Sequence, residues 1–286
     1  MKVNKAVIVS AGRGTRFLPA SKSVPKEMLP LLDKPLIHYA VAEAVASGIN
    51  EVIIVTAAGK QAIEDYFAPD TALDAFLAGK GQSELKEQMR RITQMANISF
   101  VYQKEQLGLG HAILTARRML SEEPFAVILP DDIIVSDTPA LGQILDTFGR
   151  YGGSVLAVEK LNPPDLTKYG VIKPEKVDKG IYRVLGLVEK PSQQEAPSNL
   201  GIVGRYILTP PIFDAIAATP PGSGGEIQLT DALIRLMGEQ EIYALEFDGV
   251  RYDTGAPLGW VKAQAALALK DPVIGAEFGS YLRRIL

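Results

Sequence analysis

Four short aliphatic runs set the first constraint on what this chain can fold into. AVIV (6–9), EVIIVT (51–56), ISFVY (98–102) and FAVILP (125–130) have the length and side-chain bulk of buried strands. Helical patterns separate them. Between the first two, KPLIHYAVAEAVASG (34–48) puts Leu36, Tyr39, Ala40, Val41, Ala44 and Val45 on one stripe, with Gly48 where a C-cap belongs. Strand–helix–strand alternation argues for parallel strands, which must be buried beneath helices on both faces. The expected class is α/β: a Rossmann-like, mostly parallel (mixed) sheet flanked by helices.

The polar stretch 70–96 reads as an inserted helical excursion rather than a linker. From about residue 160 the texture changes. LNPPDLTKYGVIKPE, EKPSQQEAPSN and ATPPGSGGE are rich in Pro and Gly, with short extended pieces between them, and read as loops folded over a site. The last quarter returns to helices at 228–238 and 257–269 around one strand, EIYALEF (241–247), and Trp260 is expected to pack the late helix against the core. No repeat, low-complexity tract or heptad pattern is present.

Composition excludes several classes of function. The 286 residues are enough to bury a substantial core, and a formal net charge of −3 lacks the basic footprint that nucleic acid selects. No apolar run approaches the roughly 20 residues of a membrane-spanning helix. The opening MKVNKAVIV does not read as a signal peptide. Cysteine is absent, which excludes disulfides, thiolate catalysis and Cys-ligated zinc, and suits a reducing compartment. A cytoplasmic protein with neither nucleic-acid nor membrane partners is expected.

VSAGRGTRFLP (9–19) follows the first strand directly. A dinucleotide fingerprint would need a third glycine where Phe17 stands and an acidic residue at the end of the second strand, which closes on Thr56. A P-loop would need G-x-x-x-x-G-K-[ST], also absent. What remains is a turn in which Gly12 and Gly14 let backbone N–H groups approach phosphate oxygens, with Thr15, Arg16 and Lys26 nearby to neutralise them. A tight solvent turn would use the same glycines, so the stretch alone implies phosphate without fixing the chemistry.

AGRGTRFLPASKSVPKEMLPLLDKPLIHYAV resembles the opening of the sugar-nucleotide pyrophosphorylases, with their G-x-G-T-R…PK pattern. The wording is most similar to the bacterial UTP–glucose-1-phosphate uridylyltransferases. QKEQLGLGHAI, LPDDII, KYGVI, LVEKP, IVGRYIL, GEIQLTDA and YDTG continue it in order, over about residues 4 to 270. The resemblance implies attack by glucose 1-phosphate on the α-phosphorus of UTP, giving UDP-glucose and pyrophosphate with Mg²⁺ as cofactor. The nucleophile is already an anion, so catalysis reduces to alignment and charge neutralisation. The implied fold places a smaller sugar-binding region (about 161–256) after a nucleotide-binding part (about 1–160) in one domain, 1–270. A C-terminal helical segment, 271–286, would follow.

The resemblance also assigns residues. Asp131, directly after FAVILP, emerges where open α/β sheets bind ligands and would hold the metal with Asp253 of YDTG. Asp132 is the competing neighbour; by resemblance the first of the pair is the ligand. Arg16 and Lys26 would hold the β- and γ-phosphates, with Glu27 anchoring that lysine or orienting the base. Gln103 and Gly108 would read uracil, and Ala11 and Gly12 would meet base and ribose through the main chain. Glu189 would accept from glucose hydroxyls, Lys190 would bind the sugar phosphate, and Gly170 and Gly204 would leave room for the ring. Adjacent strand residues point to opposite faces, so Glu189 and Lys190 can share one ligand only if the strand ends there. His111 has no role in this chemistry, and Pro257 departs from the lysine often found at its position.

Sibling enzymes using dTTP, CTP or ATP, and a non-catalytic paralogue, are the alternatives. A glycosyltransferase ranks low because Asp131–Asp132–Ile133 lacks an Asp-x-Asp pattern. The family implies a homodimer or homotetramer, for which 70–96 and 271–286 are the candidate contacts.

Overall fold

The computed structural model describes residues 2–120 and 122–285. In chain order the strands are β1 (Lys5–Val9), a small hairpin of β2 (Pro30–Leu31) and β3 (Lys34–Pro35), β4 (Glu51–Thr56), β5 (Asn97–Tyr102), β6 (Phe125–Ile128), β7 (Asp132–Val135), β8 (Ser154–Lys160), β9 (Gly170–Asp178), β10 (Ile181–Glu189), β11 (Leu200–Leu208), β12 (Ile242–Glu246) and β13 (Val250–Asp253). Nine of them form one sheet in the order β5-β4-β1-β6-β11-β8-β12-β10-β9. β5, β4, β1 and β6 run parallel, as the alternation in the first half predicts. β11 then enters antiparallel to β6, which makes the sheet mixed.

Period-two alternation divides the core. Val7, Ile53, Val55 and Val127 face one side, beneath the helices Gly108–Thr115, Ile212–Ala217 and Leu229–Leu236. Ala6, Ile8, Ile54 and Ile128 face the other, beneath Leu36–Ala46, Gln61–Phe67 and Ala140–Tyr151. The helix predicted over 34–48 spans Leu36–Ala46, and Gly48, at φ 85°, supplies the left-handed turn after Ser47. Ile49 N donates to Ala44 O and Gly48 N to Val45 O, closing a Schellman motif. The 70–96 excursion is two helices, Thr71–Gly79 and Ser83–Thr93, inserted between β4 and β5. Among the described residues no helix is long and apolar enough to cross a membrane.

The stretch read as loops from residue 160 is where the structure differs most. β9 and β10 are nine-residue strands joined at Lys179–Gly180, and β11 is buried along its whole length in the middle of the sheet. Lys173, Lys176, Val177 and Leu185 face solvent, so β9 and β10 lack the continuous aliphatic run of the first four strands. Gly170, Gly180 and Pro191 stand at or just beyond strand ends, while Pro174, Gly186 and Gly204 lie within strands, Gly186 at a register shift. A second unpredicted element is the two-stranded ribbon β13–β7. β9 also returns to β11, with Gly201 opposite Val171, so the late half of the sheet curls into a trough.

Trp260 packs beside Leu31, Leu36, Ile133 and Ala263, in a small cluster outside the two main layers. Pro257 takes the first position of the helix Pro257–Lys270, where its missing N–H and fixed φ suit a helix start.

Arg205 joins the layers. Its guanidinium is 1% exposed, pairs with Glu43 at 3.0 and 2.7 Å, and donates to the carbonyls of Leu129, Gly204 and Asp132. Removing one partner of such a pair strands the other charge in the interior. Arg205→Leu is therefore expected to lose about 3–5 kcal/mol of stability, read as a shift in the urea midpoint. A shift worth under about 1 kcal/mol would mean that water reaches Glu43 in the variant.

Candidate active site

The β7–β13 ribbon brings two distant carboxylates together. Asp253 pairs in register with Asp132, and Thr254 donates from both N and Oγ1 to Asp131 O, each at 2.7 Å. A Cβ placed on Gly255 would lie 2.8 Å from Asp131 Oδ2, 3.0 Å from Asp253 Oδ1 and 3.0 Å from a terminal nitrogen of Arg16. Asp131, Asp253 and Arg16 thus converge on one backbone position. Asp132 is buried and committed elsewhere: Oδ1 accepts from Arg251 at 2.6 Å and Oδ2 from Gly204 N at 2.8 Å. Asp253 Oδ2 accepts from Tyr169 OH at 2.9 Å, and Arg251 in turn holds that hydroxyl and Glu159.

Lys26 Nζ lies 2.5 Å from Asp131 Oδ2. Burial works to raise the Asp131 pKa, but the Lys26 ion pair and the Arg16 charge hold the carboxyl below its usual range. Behind this pair lies one that sequence reasoning missed. Lys60, at the start of the helix Gln61–Phe67, reaches both oxygens of buried Glu27 at 2.9 and 2.8 Å and Ser10 O at 2.6 Å. Burial pushes the Glu27 carboxyl up and the Lys60 ammonium down, and the charge of each opposes the shift of the other. Glu27 is thus anchored to Lys60 rather than to Lys26, and the Lys60 pair pins the segment carrying Lys26 to the end of β1. In sequence Lys60 is one lysine after a glycine turn, with no local signal of its partners.

A cavity of about 340 Å³ opens beside the carboxylates, lined by Arg16, Asp131, Tyr169, Gly170, Glu189, Lys190, Gly204, Thr230 and Asp253 among others. β10 ends at Glu189, and Lys190 has φ 45°, an unusual value for a residue with a side chain and more so before Pro191. That turn puts both side chains on one cavity, with Lys190 Nζ 3.2 Å from Glu189 Oε1. Thr230 donates to Glu189 Oε2 at 2.7 Å and orients it. Gly170 and Gly204 also line the cavity, but protein atoms fill the space their missing side chains leave. A Cβ on Gly204 would lie 2.7 Å from Leu129 Cβ, and one on Gly170 would lie 2.9 Å from Thr230 Oγ1. These glycines allow strands and turns to approach closely at the cavity wall.

The loop after β1 lies against Lys26, since a Cβ on Gly14 would lie 3.1 Å from Lys26 Cβ. Gly12, Thr15 and Arg16 are exposed, whereas Ala11 is buried. Gln106, not singled out in sequence, links this loop to the next: its Nε2 donates to Ala11 O and its Oε1 accepts from Arg13, both at 2.9 Å. Gln103 is buried, with Nε2 3.2 Å from Gly108 O. Gln106 thus ties the loop carrying Ala11, Gly12 and Gly14 to the segment carrying Gln103 and Gly108, and none of these five lines the cavity.

Among the described residues no group of three or more His, Cys, Asp or Glu could hold a metal ion. Two converging carboxylates fit Mg²⁺, which is commonly held by one or two carboxylates together with water and substrate phosphates. Arg16 and Lys26 add fixed positive charge at the same place.

The family model for nucleotidyl transferases matches residues 5–269. A UTP–glucose-1-phosphate uridylyltransferase of Staphylococcus epidermidis is 49% identical over 284 residues, covering 99% of each chain. Among solved structures, a UDP-glucose pyrophosphorylase complexed with UDP-glucose is 42% identical, with a TM-score of 0.86 over 94% of this chain and 100% of that one. A UTP-bound enzyme of the same kind from Acinetobacter baumannii superposes at 0.93, with 36% identity over the full length of both. An end-to-end match of that depth, on a fold whose carboxylates and cations converge in one cleft, makes the chain a member of the nucleotidyl transferase family.

Proposed function

We propose that the chain transfers the uridylyl group of UTP to glucose 1-phosphate, forming UDP-glucose and pyrophosphate. The observation that carries this reading is the convergence of Asp131, Asp253 and Arg16 around Gly255, next to a cavity that holds Glu189 and Lys190. The relatives matching the chain over nearly its whole length carry that activity in their names.

Each residue then has a physical task. Lys190 pairs with the sugar phosphate and Glu189, held by Thr230, accepts from sugar hydroxyls, which fixes the attacking oxygen. Arg16 and Lys26 neutralise the β- and γ-phosphates, so charge moving onto the departing pyrophosphate meets cations already in place. Asp131 and Asp253 hold Mg²⁺, which when bound supplies further charge neutralisation at the phosphates. Lys26, now on Asp131, exchanges that partner for phosphate oxygen when the nucleotide enters. Ala11, Gly12, Gly14 and Thr15 offer main-chain groups to the nucleotide, and Gln103 and Gly108 meet the base.

The reading extends to assembly and setting. The helix Gly275–Ile285 leaves Tyr281 and Ile285 exposed beside Val273 and Ile274, and the inserted helices expose Leu73, Phe76 and Leu85. These faces are the contacts we assign to a homodimer or homotetramer; Leu286, in the expected C-terminal contact, lies outside the described residues. A chain without cysteine suits the reducing cytoplasm.

Pyrophosphate release with glucose 1-phosphate and each nucleoside triphosphate tests the function; faster turnover of dTTP or ATP than of UTP would overturn it. Asp131→Asn keeps the volume and removes the charge, so kcat should fall about 10²–10³-fold with the fold retained by circular dichroism, while loss of the Lys26 partner lowers the unfolding midpoint. Near-normal turnover would place the metal elsewhere. Glu189→Gln should raise KM for glucose 1-phosphate about tenfold and leave KM for UTP within about twofold. An equal loss for both substrates would remove Glu189 from the sugar side.

A further inference from the structure

His111 has no task in the transfer, yet it touches the residue assigned to the base. Gln103 is 4% exposed, and its Nε2 lies 3.2 Å from Gly108 O and 2.9 Å from His111 Nδ1. A carbonyl oxygen only accepts, so the Gln103 atom facing Gly108 has to be the amide nitrogen. Gly108 cannot readily turn that carbonyl away. Its φ is 91°, a Cβ there would meet Glu226 Cβ at 2.8 Å, and Ile227 N holds Leu107 O at 2.7 Å. The second amide hydrogen then points at His111, which accepts at Nδ1 and carries its proton on Nε2. Both donors of Gln103 are engaged. Only Oε1, an acceptor, is left for a ligand.

We infer that His111 is a positioning residue for nucleobase choice. By accepting the second amide hydrogen it holds Gln103 with Oε1 toward the base, which selects a pyrimidine whose N3 carries a hydrogen. Uracil and thymine meet that requirement. Cytosine does not, because its N3 is an unprotonated acceptor and would face Oε1 as lone pair against lone pair. This inference rests on the reading above that Gln103 faces the base. Without an acceptor at position 111 the amide keeps only its bond to the Gly108 carbonyl, and its plane swings about the broad terminal torsion, so Oε1 is no longer held at one angle to the base. Asparagine at 111 can place Oδ1 near the site of Nδ1 and accept the same hydrogen.

Initial rates of pyrophosphate release with UTP and with CTP test this in the wild type, His111→Leu, His111→Asn and Gln103→Leu. His111→Leu is expected to raise KM for UTP about tenfold, the worth of one hydrogen bond, with kcat within about twofold. The ratio of kcat/KM for UTP over CTP should fall by about the same factor, and His111→Asn should restore most of it. His111→Ala removes the acceptor without adding bulk and carries the test if the leucine variant does not fold. A folded His111→Leu or His111→Ala with an unchanged UTP/CTP ratio would overturn the inference, as would an asparagine variant as relaxed as either. An unchanged ratio in Gln103→Leu would instead remove the base contact itself.

Discussion

Pairing of β7 with β13 closes a long loop, since Arg251 and Asp132 are 119 residues apart in sequence. Closure of that length costs of order 4 kcal/mol in chain entropy before any local strain. The ribbon meets that cost with a four-residue ladder, the buried Arg251–Asp132 ion pair and the two bonds from Thr254 to the Asp131 carbonyl. The convergence of Asp131 and Asp253 depends on this closure. So does Tyr169, which reaches Asp253 from the segment before β9 and is held by Arg251 in turn.

The site is an alternation of charges arranged in depth. Nearest the cleft, Lys26 opposes Asp131 and Lys190 stands beside Glu189. Behind them Lys60 opposes Glu27, Arg251 opposes Asp132 and Arg205 opposes Glu43. Burying a charge is tolerable only with a partner, and Lys26 and Asp131 each sit on a segment pinned by an inner pair. On the function proposed above, the outer cations exchange partners for phosphate. The inner ones, fully committed, cannot.

Much of this was legible in sequence wherever the signal was local. The buried parallel strands, the helix ending at Gly48 and the position of Asp131 after a strand all follow from periodicity and residue type. β9 and β10 were missed because one face meets solvent and carries lysines, so neither reads as a continuous aliphatic run. The ribbon was missed because β7 and β13 are four residues each and owe their existence to one another. Lys60, Gln106 and Arg251 were illegible for the same reason: their meaning lies in partners that only the folded chain brings near. Gly170 and Gly204 were placed on the cavity, but the neighbours that require them, Thr230 and Leu129, could not be read from their surroundings.

One sheet runs beneath both the loop after β1 and the cavity beside Glu189, with β6 and β11 hydrogen-bonded at its centre. The two ends of the cleft therefore cannot swing as separate bodies about a hinge between them. Any closing movement falls to the connections at the rim, around residues 12–25, 163–169 and 190–199. On the function proposed above, the distance between the two substrates' phosphates is then set by the stiffness of a continuous hydrogen-bonded platform rather than by loops.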